Sequence, residues 1–178
     1  MEKSNNTELI VSGILLAAGS SKRLGYPKQL LEWNDQYLIN YIIYEILKSR
    51  INELFVVLGD HYQDLSKIID QRVKIVYNSN WAEGKSSSIK TGVAHLGEST
   101  IGAMFFVVDQ PFINYKIIDT LIQEFKKSPD FIIAPRIKRR ICNPVLFSRR
   151  FFDDLNDLSG EEGGKVIINK SKKVKWVD

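Results

Sequence analysis

The sequence has few of the residues that build disulfide scaffolds or metal clusters, with one cysteine and two histidines among its 178 residues. The single cysteine, Cys142, excludes an intramolecular disulfide and indicates a reducing compartment, so we expect a cytoplasmic protein. His61 and His95 have no other ligand types beside them at metal-binding spacing. We therefore expect both to be ordinary surface or core histidines.

A strong charge excess and a long apolar run are also missing. Lysine and arginine number 25 against 21 acidic residues, and the net charge of +4 is too small to indicate a nucleic-acid partner, although it suits anionic substrates. The first residues, M-E-K-S-N-N-T-E, lack the apolar segment of a signal peptide, and no run approaches the length that spans a membrane. We expect neither nucleic acid nor a membrane as a partner.

The sequence does contain a regular alternation of apolar strands and amphipathic helices. This alternation predicts βαβ units, and hence a Rossmann-like three-layer α/β/α sandwich around a mostly parallel mixed sheet. No linker, composition shift or internal repeat divides the chain, so we expect one domain over residues 1–178. The predicted strands are 9–16, 54–58, 73–77, 101–108, 131–134 and 143–147, with one more at the C-terminal end. Five helices are predicted: residues 37–49, a short helix at 65–69, a helix that contains 89–96, a helix at 117–125 and a helix at 149–158.

The most informative stretch follows the first predicted strand. This strand ends in the small residues Ala17, Ala18 and Gly19, and two serines and three cations come next. Small residues let the backbone approach a ligand closely, and successive N–H groups in a turn form a concave anion site. Arginine can bind phosphate oxygens with two N–H groups, while lysine supplies a point charge. We therefore expect a polyphosphate-binding loop made by Leu16, Ala17, Ala18, Gly19, Ser20, Ser21, Arg23 and Lys28.

This loop differs from two common phosphate-binding loops. The dinucleotide pattern G-x-G-x-x-G is not met, because Gly19 and Gly25 stand alone and Pro27 follows closely. The P-loop pattern G-x-x-x-x-G-K-[ST] is not met either, because five residues separate the two glycines and Tyr26 follows the second. The loop therefore belongs to a different kind of nucleotide site.

Asp109 ends the most apolar stretch of the chain and is followed by Gln110 and Pro111. A carboxylate at the end of a buried strand is well placed to hold Mg²⁺ on a nucleotide, and a helix cap or a turn aspartate is the alternative interpretation. In open α/β sheets, ligands bind beyond the carboxyl ends of the strands. We therefore expect Asp109, the loop at 17–28 and the segment 78–88 to converge at one edge of the sheet.

The loop follows the pattern L-A-A-G-x-S-x-R-[LM]-G-x-x-K-x-L-L, which resembles that of the nucleotidyltransferases with a glycosyltransferase-A-like fold. Among these MobA-like NTP transferases, the chain is most similar to the molybdenum cofactor cytidylyltransferases. The related guanylyltransferases usually carry L-A-G-G, so Ala18 favours cytidine over guanosine. The tripeptide D-Q-P also matches the cytidylyltransferase pattern, and the resemblance assigns its role as a metal ligand to Asp109.

Three further segments resemble the family. Its G-x-S-S-S segment contacts the nucleotide, which implies such contacts for Gly84, Ser86, Ser87 and Ser88, while Lys85 stands where the family often has an apolar residue. The segments G-[HN]-P-V-L-F and L-x-G-D-x-G-A-R are matched with Cys142 in place of a glycine and with Glu161, Gly164 and Lys165 in place of aspartate, alanine and arginine. The resemblance implies that the acceptor is bound by Asn143, Pro144, Glu161 and Lys165.

The resemblance implies a Mg²⁺-dependent transfer of CMP from CTP to the phosphate of molybdopterin cofactor, with release of pyrophosphate. Lys28, Arg23 and Asp109 are the expected catalytic residues, and a molybdenum hydroxylase apoenzyme is the expected recipient of the product. Family members usually continue to a D-I-D-T-P-like segment whose aspartate completes the metal site, whereas this sequence ends at Asp178. We therefore expect a C-terminal end that is short relative to the family.

Three alternatives remain open at this point. One is a cytidylyltransferase for an isoprenoid or sugar phosphate, favoured by the run P-K-Q-L-L at 27–31. Another is a non-catalytic carrier of the molybdenum cofactor. The third is a P-loop phosphohydrolase, because Gly84-Lys85-Ser86 imitates the end of a P-loop and an apolar strand leads to Asp109.

Overall fold

A computed structural model of the protein describes residues 9–21 and 24–178. The strands in this part of the chain are β1 (Ile10–Ala17), β2 (Glu32–Trp33), β3 (Gln36–Tyr37), β4 (Glu53–Leu58), β5 (Lys74–Tyr77), β6 (Thr100–Val107), β7 (Ile132–Ile137), β8 (Arg140–Ile141), β9 (Val145–Ser148) and β10 (Val174–Val177). The α-helices are α1 (Leu38–Leu47), α2 (Tyr62–Ile68), α3 (Lys85–Ala94), α4 (Tyr115–Lys127), α5 (Phe152–Asn156) and α6 (Lys165–Lys170).

The main sheet has eight strands in the order β10-β7-β9-β6-β1-β4-β5, with β8 paired to β7. β1 runs parallel to both of its neighbours, β4 and β6. At the two ends of the sheet, β5 pairs in parallel with β4, and β10 pairs in parallel with β7. β9 is antiparallel to β6 and β7, between which it lies. The predicted mixed, mostly parallel sheet is therefore confirmed.

Each face of the sheet is covered by helices, which gives the predicted three layers. Consecutive β1 residues alternate between two buried clusters: Leu15 belongs to the cluster with α1, α2 and α4, and Ile14 to the cluster with α3, α5 and α6. Both side chains are fully buried. A strand covered on both faces needs apolar residues at every position, which explains the nearly continuous apolar character of β1 and β6. Gly92 lets α3 approach β1 closely, since a Cβ there would lie 2.6 Å from Cγ2 of Ile14.

The predicted elements differ from the observed ones mainly at their ends and in the last third of the chain. The helix predicted over 149–158 is a 3-10 turn, Arg149–Phe151, followed by the short α5. The two-residue strands of the β2–β3 hairpin and β8 were not predicted. The final predicted strand is confirmed as β10. No helix in the described part of the chain is both long and apolar enough to cross a membrane.

Candidate active site

The backbone of the predicted phosphate loop turns immediately after β1. Ala17 and Ala18 are buried, whereas Gly19 is exposed. Gly19 and Ser20 donate no backbone hydrogen bond to any other described residue. Free N–H groups at an exposed turn are the kind of donor that an anion binds. Arg23, a predicted nucleotide-binding and catalytic residue, lies outside the described residues, and its role stays a prediction.

Gln29 stabilises this loop through its side chain, a role that was not predicted from the sequence. Its side chain is only 1% exposed, and its Nε2 donates to the carbonyl oxygens of Ala17 at 2.8 Å and Gly19 at 3.2 Å. The Oγ of Ser21 accepts from the backbone N–H of Lys28 at 3.1 Å. The buried amide of Gln29 therefore fixes the orientation of two loop carbonyls. It thereby also restricts the orientation of the peptide groups between them. The only sequence signal was a polar residue directly before two leucines.

Lys28 and Asp109 meet at the carboxyl edge of the sheet. The Nζ atom of Lys28 lies 3.7 Å from the Oδ2 atom of Asp109, and their side chains are 37% and 62% exposed. The parallel register of β1 and β6, which pairs Leu16 with Val107, brings the ends of the two strands level. At this distance and exposure the pair adds little to stability. Its significance is that it places a cation and a carboxylate beside the same loop.

Asp109 does not cap the helix that follows it. That helix, α4, is capped by Asn114, whose side-chain oxygen accepts from the N–H groups of Lys116 at 3.1 Å and Ile117 at 3.2 Å. The helix-cap interpretation of Asp109 is therefore wrong, whereas the turn interpretation agrees with the structure, since Asp109 lies in the turn that follows β6. Its exposed carboxylate is available to a ligand.

The surroundings of Asp109 suit a divalent ion that is held mainly by a bound nucleotide. Among residues 9–21 and 24–178, no three His, Cys, Asp or Glu side chains are grouped closely enough to hold a metal. Mg²⁺ is commonly held by one or two carboxylates together with substrate phosphates and waters. Asp109 therefore fits a Mg²⁺ ion that is bound mainly through a nucleotide, and the described side chains do not form a metal site of their own.

The segment after β5 is built around Asn78. This residue is 3% exposed, and its Nδ2 donates to Oγ of Ser87 at 2.9 Å and Oγ of Ser88 at 3.1 Å. The Ser87 hydroxyl donates in turn to the carbonyl of Gly84 at 2.8 Å. Ser86, Ser87 and Ser88 are all buried, with 4–8% exposure. At least two of the three hydroxyls thus hold the start of α3 in place, and nucleotide contact by this segment stays a prediction.

Gly84 brings this segment against the loop before α6. Its φ of +108° favours glycine, and an added Cβ would collide with the backbone of Gly160. The N–H of Ser86 donates to the carbonyl of Gly160 at 3.0 Å. In a P-loop this N–H would face a phosphate, so the structure does not support the P-loop interpretation.

The residues predicted to bind the acceptor fall into two groups. Asn143 and Lys165 line one cavity of about 180 Å³. Pro144 is buried directly before β9, and Glu161 is exposed on the loop before α6. Neither Pro144 nor Glu161 lines that cavity. The structure therefore brings two of the four together, and the acceptor contacts of all four stay predictions.

The fold is a three-layer α/β sandwich of the kind found in α/β nucleotidyltransferases. The loop that contains Gly19 follows β1, and the carboxylate of Asp109 follows the adjacent β6. The chain belongs to the family described as the MobA-like NTP transferase domain, whose model matches residues 13–174. The predicted resemblance to this family is thus confirmed.

Two curated relatives show how varied the family is. The nicotine blue oxidoreductase of Paenarthrobacter nicotinovorans is 28% identical over 170 residues, which cover 90% of this chain and 82% of that protein. A probable molybdenum cofactor guanylyltransferase of Thermococcus sibiricus is 26% identical over 169 residues, which cover 89% and 78% of the two chains. The two names describe different reactions, so the relatives do not decide which nucleotide is the donor for this chain.

Solved structures show the same fold. A homologue of Mycobacterium tuberculosis Rv0371c from Mycobacterium sp. strain JC1 superposes with a TM-score of 0.84 at 27% identity, covering 94% of this chain and 84% of that one. Rv0371c of M. tuberculosis in complex with manganese gives a TM-score of 0.81 at 21% identity, covering 94% and 87%. The 4-diphosphocytidyl-2C-methyl-D-erythritol synthase of Anaerococcus prevotii gives 0.72 at 16% identity, covering 95% and 86%.

Proposed function

We propose that the protein transfers a cytidylyl group from CTP to the phosphate of a molybdopterin-type cofactor and releases pyrophosphate. The observation that carries this proposal is the 3.7 Å approach of Lys28 to Asp109 beside the loop that follows β1. Family membership supports nucleotidyl transfer. The choice of CTP depends on Ala18, and the choice of acceptor depends on the resemblance to the cytidylyltransferases.

In this reaction an oxygen of the acceptor phosphate attacks the α-phosphorus of CTP. The bond from that phosphorus to the bridging oxygen of the β-phosphate breaks, and pyrophosphate leaves. The attacking phosphate is already ionised, so no general base is required. Catalysis then depends on positioning and on neutralising negative charge.

The residues of the loop and Asp109 have separate roles in this reaction. Backbone N–H groups of Gly19 and Ser20, with Arg23, bind the β- and γ-phosphates, and Lys28 neutralises charge on the α-phosphoryl group. Asp109 would hold Mg²⁺, which when bound supplies positive charge to the phosphate oxygens. The manganese complex of the Rv0371c protein supports a divalent ion in this fold. Gln29 binds the carbonyl oxygens of Ala17 and Gly19. In this proposal it thereby keeps these partly negative oxygens turned away from the phosphates, which would repel them.

Transfer of GMP from GTP is a second candidate, because the T. sibiricus relative is named a guanylyltransferase. A cytidylyltransferase for an isoprenoid phosphate is a third, supported by the fold of the A. prevotii enzyme. Both candidates keep the site described above and change only the base or the acceptor. We also propose a cytoplasmic location, which rests on the single cysteine, and a molybdenum hydroxylase apoenzyme as recipient of the product.

The test is pyrophosphate release by the purified protein with Mg²⁺, from CTP and from GTP separately, with and without molybdopterin. We expect release from CTP that requires molybdopterin. Release from GTP alone would replace the proposed donor, and release supported only by an isoprenoid phosphate would replace the acceptor. Tight binding of molybdopterin without any release would instead favour the carrier.

A further inference from the structure

The end of β4 lies beside the loop that follows β1. The two strands are parallel neighbours, and their register pairs Leu58 with Ala17, so the residues that follow them lie level at the sheet edge. The N–H of Asp60 donates to the carbonyl of Ala18 at 3.3 Å. Asp60 is therefore held next to the predicted phosphate loop, although none of the motifs identified above includes it.

Gly59 brings the segment 78–88 to the same point. A Cβ at this buried glycine would lie 2.6 Å from the carbonyl oxygen of Ala18 and 2.6 Å from Cβ of Trp81. Trp81 thus packs against the end of β4, and it remains partly exposed. The loop and the segment are the two parts of the chain predicted to contact the nucleotide, so Asp60 and Trp81 lie where these parts meet.

The position of β4 in the sheet indicates which end of a nucleotide would lie there. The strand order is β6-β1-β4-β5, with Asp109 after β6 and the segment 78–88 after β5. A nucleotide that meets both must cross the end of β4. Adjacent strands lie about 4.8 Å apart, so β4 is about 10 Å from β6, a distance close to the length of a nucleoside. With its phosphates at Lys28 and Asp109, the nucleotide would place its base near Asp60.

His61 restricts the carboxylate of Asp60. The Nε2 atom of His61 lies 3.5 Å from Oδ2 of Asp60, and the two side chains are 29% and 32% exposed. His61 stands at the N-cap position of α2, but its side chain makes no capping hydrogen bond, so the start of the helix does not account for the pair. Because the contact involves Oδ2, the other oxygen, Oδ1, can accept from a ligand at the same time.

A positioned carboxylate distinguishes nucleobases by the donors that they carry. An ionised carboxylate only accepts hydrogen bonds, and aspartate commonly accepts from the amino group of cytosine. Uracil has a carbonyl oxygen in place of that amino group, which would repel the carboxylate and leave it without a donor. Trp81 adds an aromatic surface beside the carboxylate, and nucleobases stack on such surfaces.

We propose that Asp60 is a specificity residue for the donor nucleotide. Its carboxylate accepts from the amino group of the base, and it thereby excludes UTP. His61 is a positioning residue, which acts by holding this carboxylate. In taking the nucleotide to be CTP the inference rests on the proposed function, and it adds the hydrogen bond that separates CTP from UTP.

The test is isothermal titration calorimetry of CTP and of UTP with Mg²⁺ and without an acceptor. We expect CTP to bind at least about tenfold more tightly than UTP, the scale of one charge-assisted hydrogen bond. Asp60→Asn should lower this ratio about tenfold, because an amide can also donate to the uracil oxygen. Asp64→Asn is the matched control, since it makes the same change at an exposed carboxylate of α2 and should leave the ratio unchanged.

Variants of His61 test the positioning role. His61→Ala should lower the ratio of CTP to UTP affinity at least about threefold, whereas His61→Gln keeps a donor for the carboxylate and should retain the ratio. Thermal unfolding of both variants reports any loss of stability, which by itself would not change the preference between two nucleotides. Equal ratios in His61→Ala and in the unchanged protein would show that His61 does not position Asp60.

Three results would overturn the inference for Asp60. One is the same ratio of CTP to UTP affinity in the unchanged protein and in Asp60→Asn. Another is a change in the ratio of CTP to 2′-deoxy-CTP alone, which would show that Asp60 binds the ribose. The third is an equal gain in affinity for CTP, UTP and inorganic triphosphate in Asp60→Asn, which would reduce the effect to general charge repulsion.

A second readout distinguishes this inference from the proposed function. If CTP and molybdopterin give pyrophosphate and the ratio does not depend on Asp60, the inference is wrong and the function stands. If no pyrophosphate forms but the ratio depends on Asp60, the function is wrong and the specificity residue stands. If GTP binds in place of CTP, the proposed donor is wrong, and the comparison becomes GTP against inosine triphosphate, which lacks the amino group. An equal ratio of these two in the unchanged protein and in Asp60→Asn would then overturn the inference.

Discussion

The ammonium group of Lys28 lies 3.7 Å from the carboxylate of Asp109, although the two residues come from loops that follow different strands. The contact exists because β1 and β6 are parallel neighbours in register. A cation for phosphate and a carboxylate for a metal ion are thereby placed at one point of the sheet edge. The predictions below follow from this arrangement and from the contacts that support it.

The first prediction concerns Lys28. Lys28→Ala should lower turnover by roughly 10²–10³, the scale of removing one preorganised charge partner from a transition state. Folding should hardly change, because the exposed pair with Asp109 adds little stability. Steady-state pyrophosphate release and thermal unfolding check this. Lys67→Ala, which removes an exposed lysine on α2, is the control, and equal turnover in both variants would show that Lys28 does not meet the nucleotide.

Asp109→Asn should abolish turnover, because the amide cannot replace a carboxylate on Mg²⁺. Binding of CTP without metal should stay within a few-fold, since the change removes a negative charge from the neighbourhood of the phosphates. Equilibrium binding in EDTA and turnover in Mg²⁺ measure the two effects separately. Turnover that survives at saturating Mg²⁺ would mean that another group holds the ion.

Gln29 should matter for catalysis beyond its effect on stability. Gln29→Leu leaves the carbonyls of Ala17 and Gly19 without a donor and should cost about 2 kcal/mol of unfolding free energy. It should also raise KM for CTP at least about tenfold, because the loop loses its fixed conformation.

Asn40 provides the matched control for Gln29. Its Nδ2 donates to the carbonyl of Ile68 at 2.9 Å, away from the site. In both residues the side-chain oxygen is buried without a partner among the described residues. Asn40→Leu should therefore cost a similar free energy with KM unchanged. The same change in KM for both variants would reduce Gln29 to a structural residue.

The choice of base should depend on the backbone at Ala18. Its side chain is buried in the cluster with α3, and its carbonyl accepts from the N–H of Asp60 at 3.3 Å. Any effect on the base must therefore act through the conformation of the loop. In competition between equal CTP and GTP, cytidylylated product should dominate, and Ala18→Gly should increase the guanylylated share. Dominance of GTP in the unchanged protein would contradict the assignment of the donor.

A pH prediction concerns the attachment of the last strand. Side-chain hydrogen bonds from Lys127 and then Lys175 lower the pKa of Glu124 from 4.5 to about 2. Because the pKa is lower in the folded state, the contribution to stability is complete above pH 4.5 and is lost as the pH falls towards 2. Glu124→Gln should thus lower the melting temperature at pH 6 and have almost no effect near pH 2. Glu98→Gln, an exposed change outside any described ion pair, should have little effect at either pH.

The sequence predicted the parts of the fold that depend on buried periodicity. β1 and β6 are apolar at nearly every position because helices cover both faces, and this signal located the loop and Asp109 together. The insertion of β9 between β6 and β7 could not be predicted, since the pairing partner of a short strand is set by long-range contacts. The β2–β3 hairpin was missed because its strands have two residues each, although its turn residues Asn34 and Asp35 tolerate their positive φ.

The limits of prediction at the site have a similar cause. Ser87 and Ser88 follow a nucleotide-binding pattern, yet their hydroxyls accept from Asn78, a partner that the local sequence does not reveal. Gln29 lies in a recognisable motif, but its role depends on two carbonyls that only the folded loop brings to it. Local patterns thus identified which segments meet, while the division between ligand contacts and supporting contacts required the structure.

The central claim is that Lys28 and Asp109 act on one nucleotide whose α-phosphoryl group is transferred. The most direct measurement is the fate of the label in CTP labelled at the α-phosphorus, incubated with Mg²⁺, molybdopterin and the protein. We expect the label in a cytidylylated acceptor, with one pyrophosphate released per label transferred and none of either with Asp109→Asn. Two results would contradict the account: label that stays in CTP, or label that appears in free CMP at the same rate with and without the acceptor.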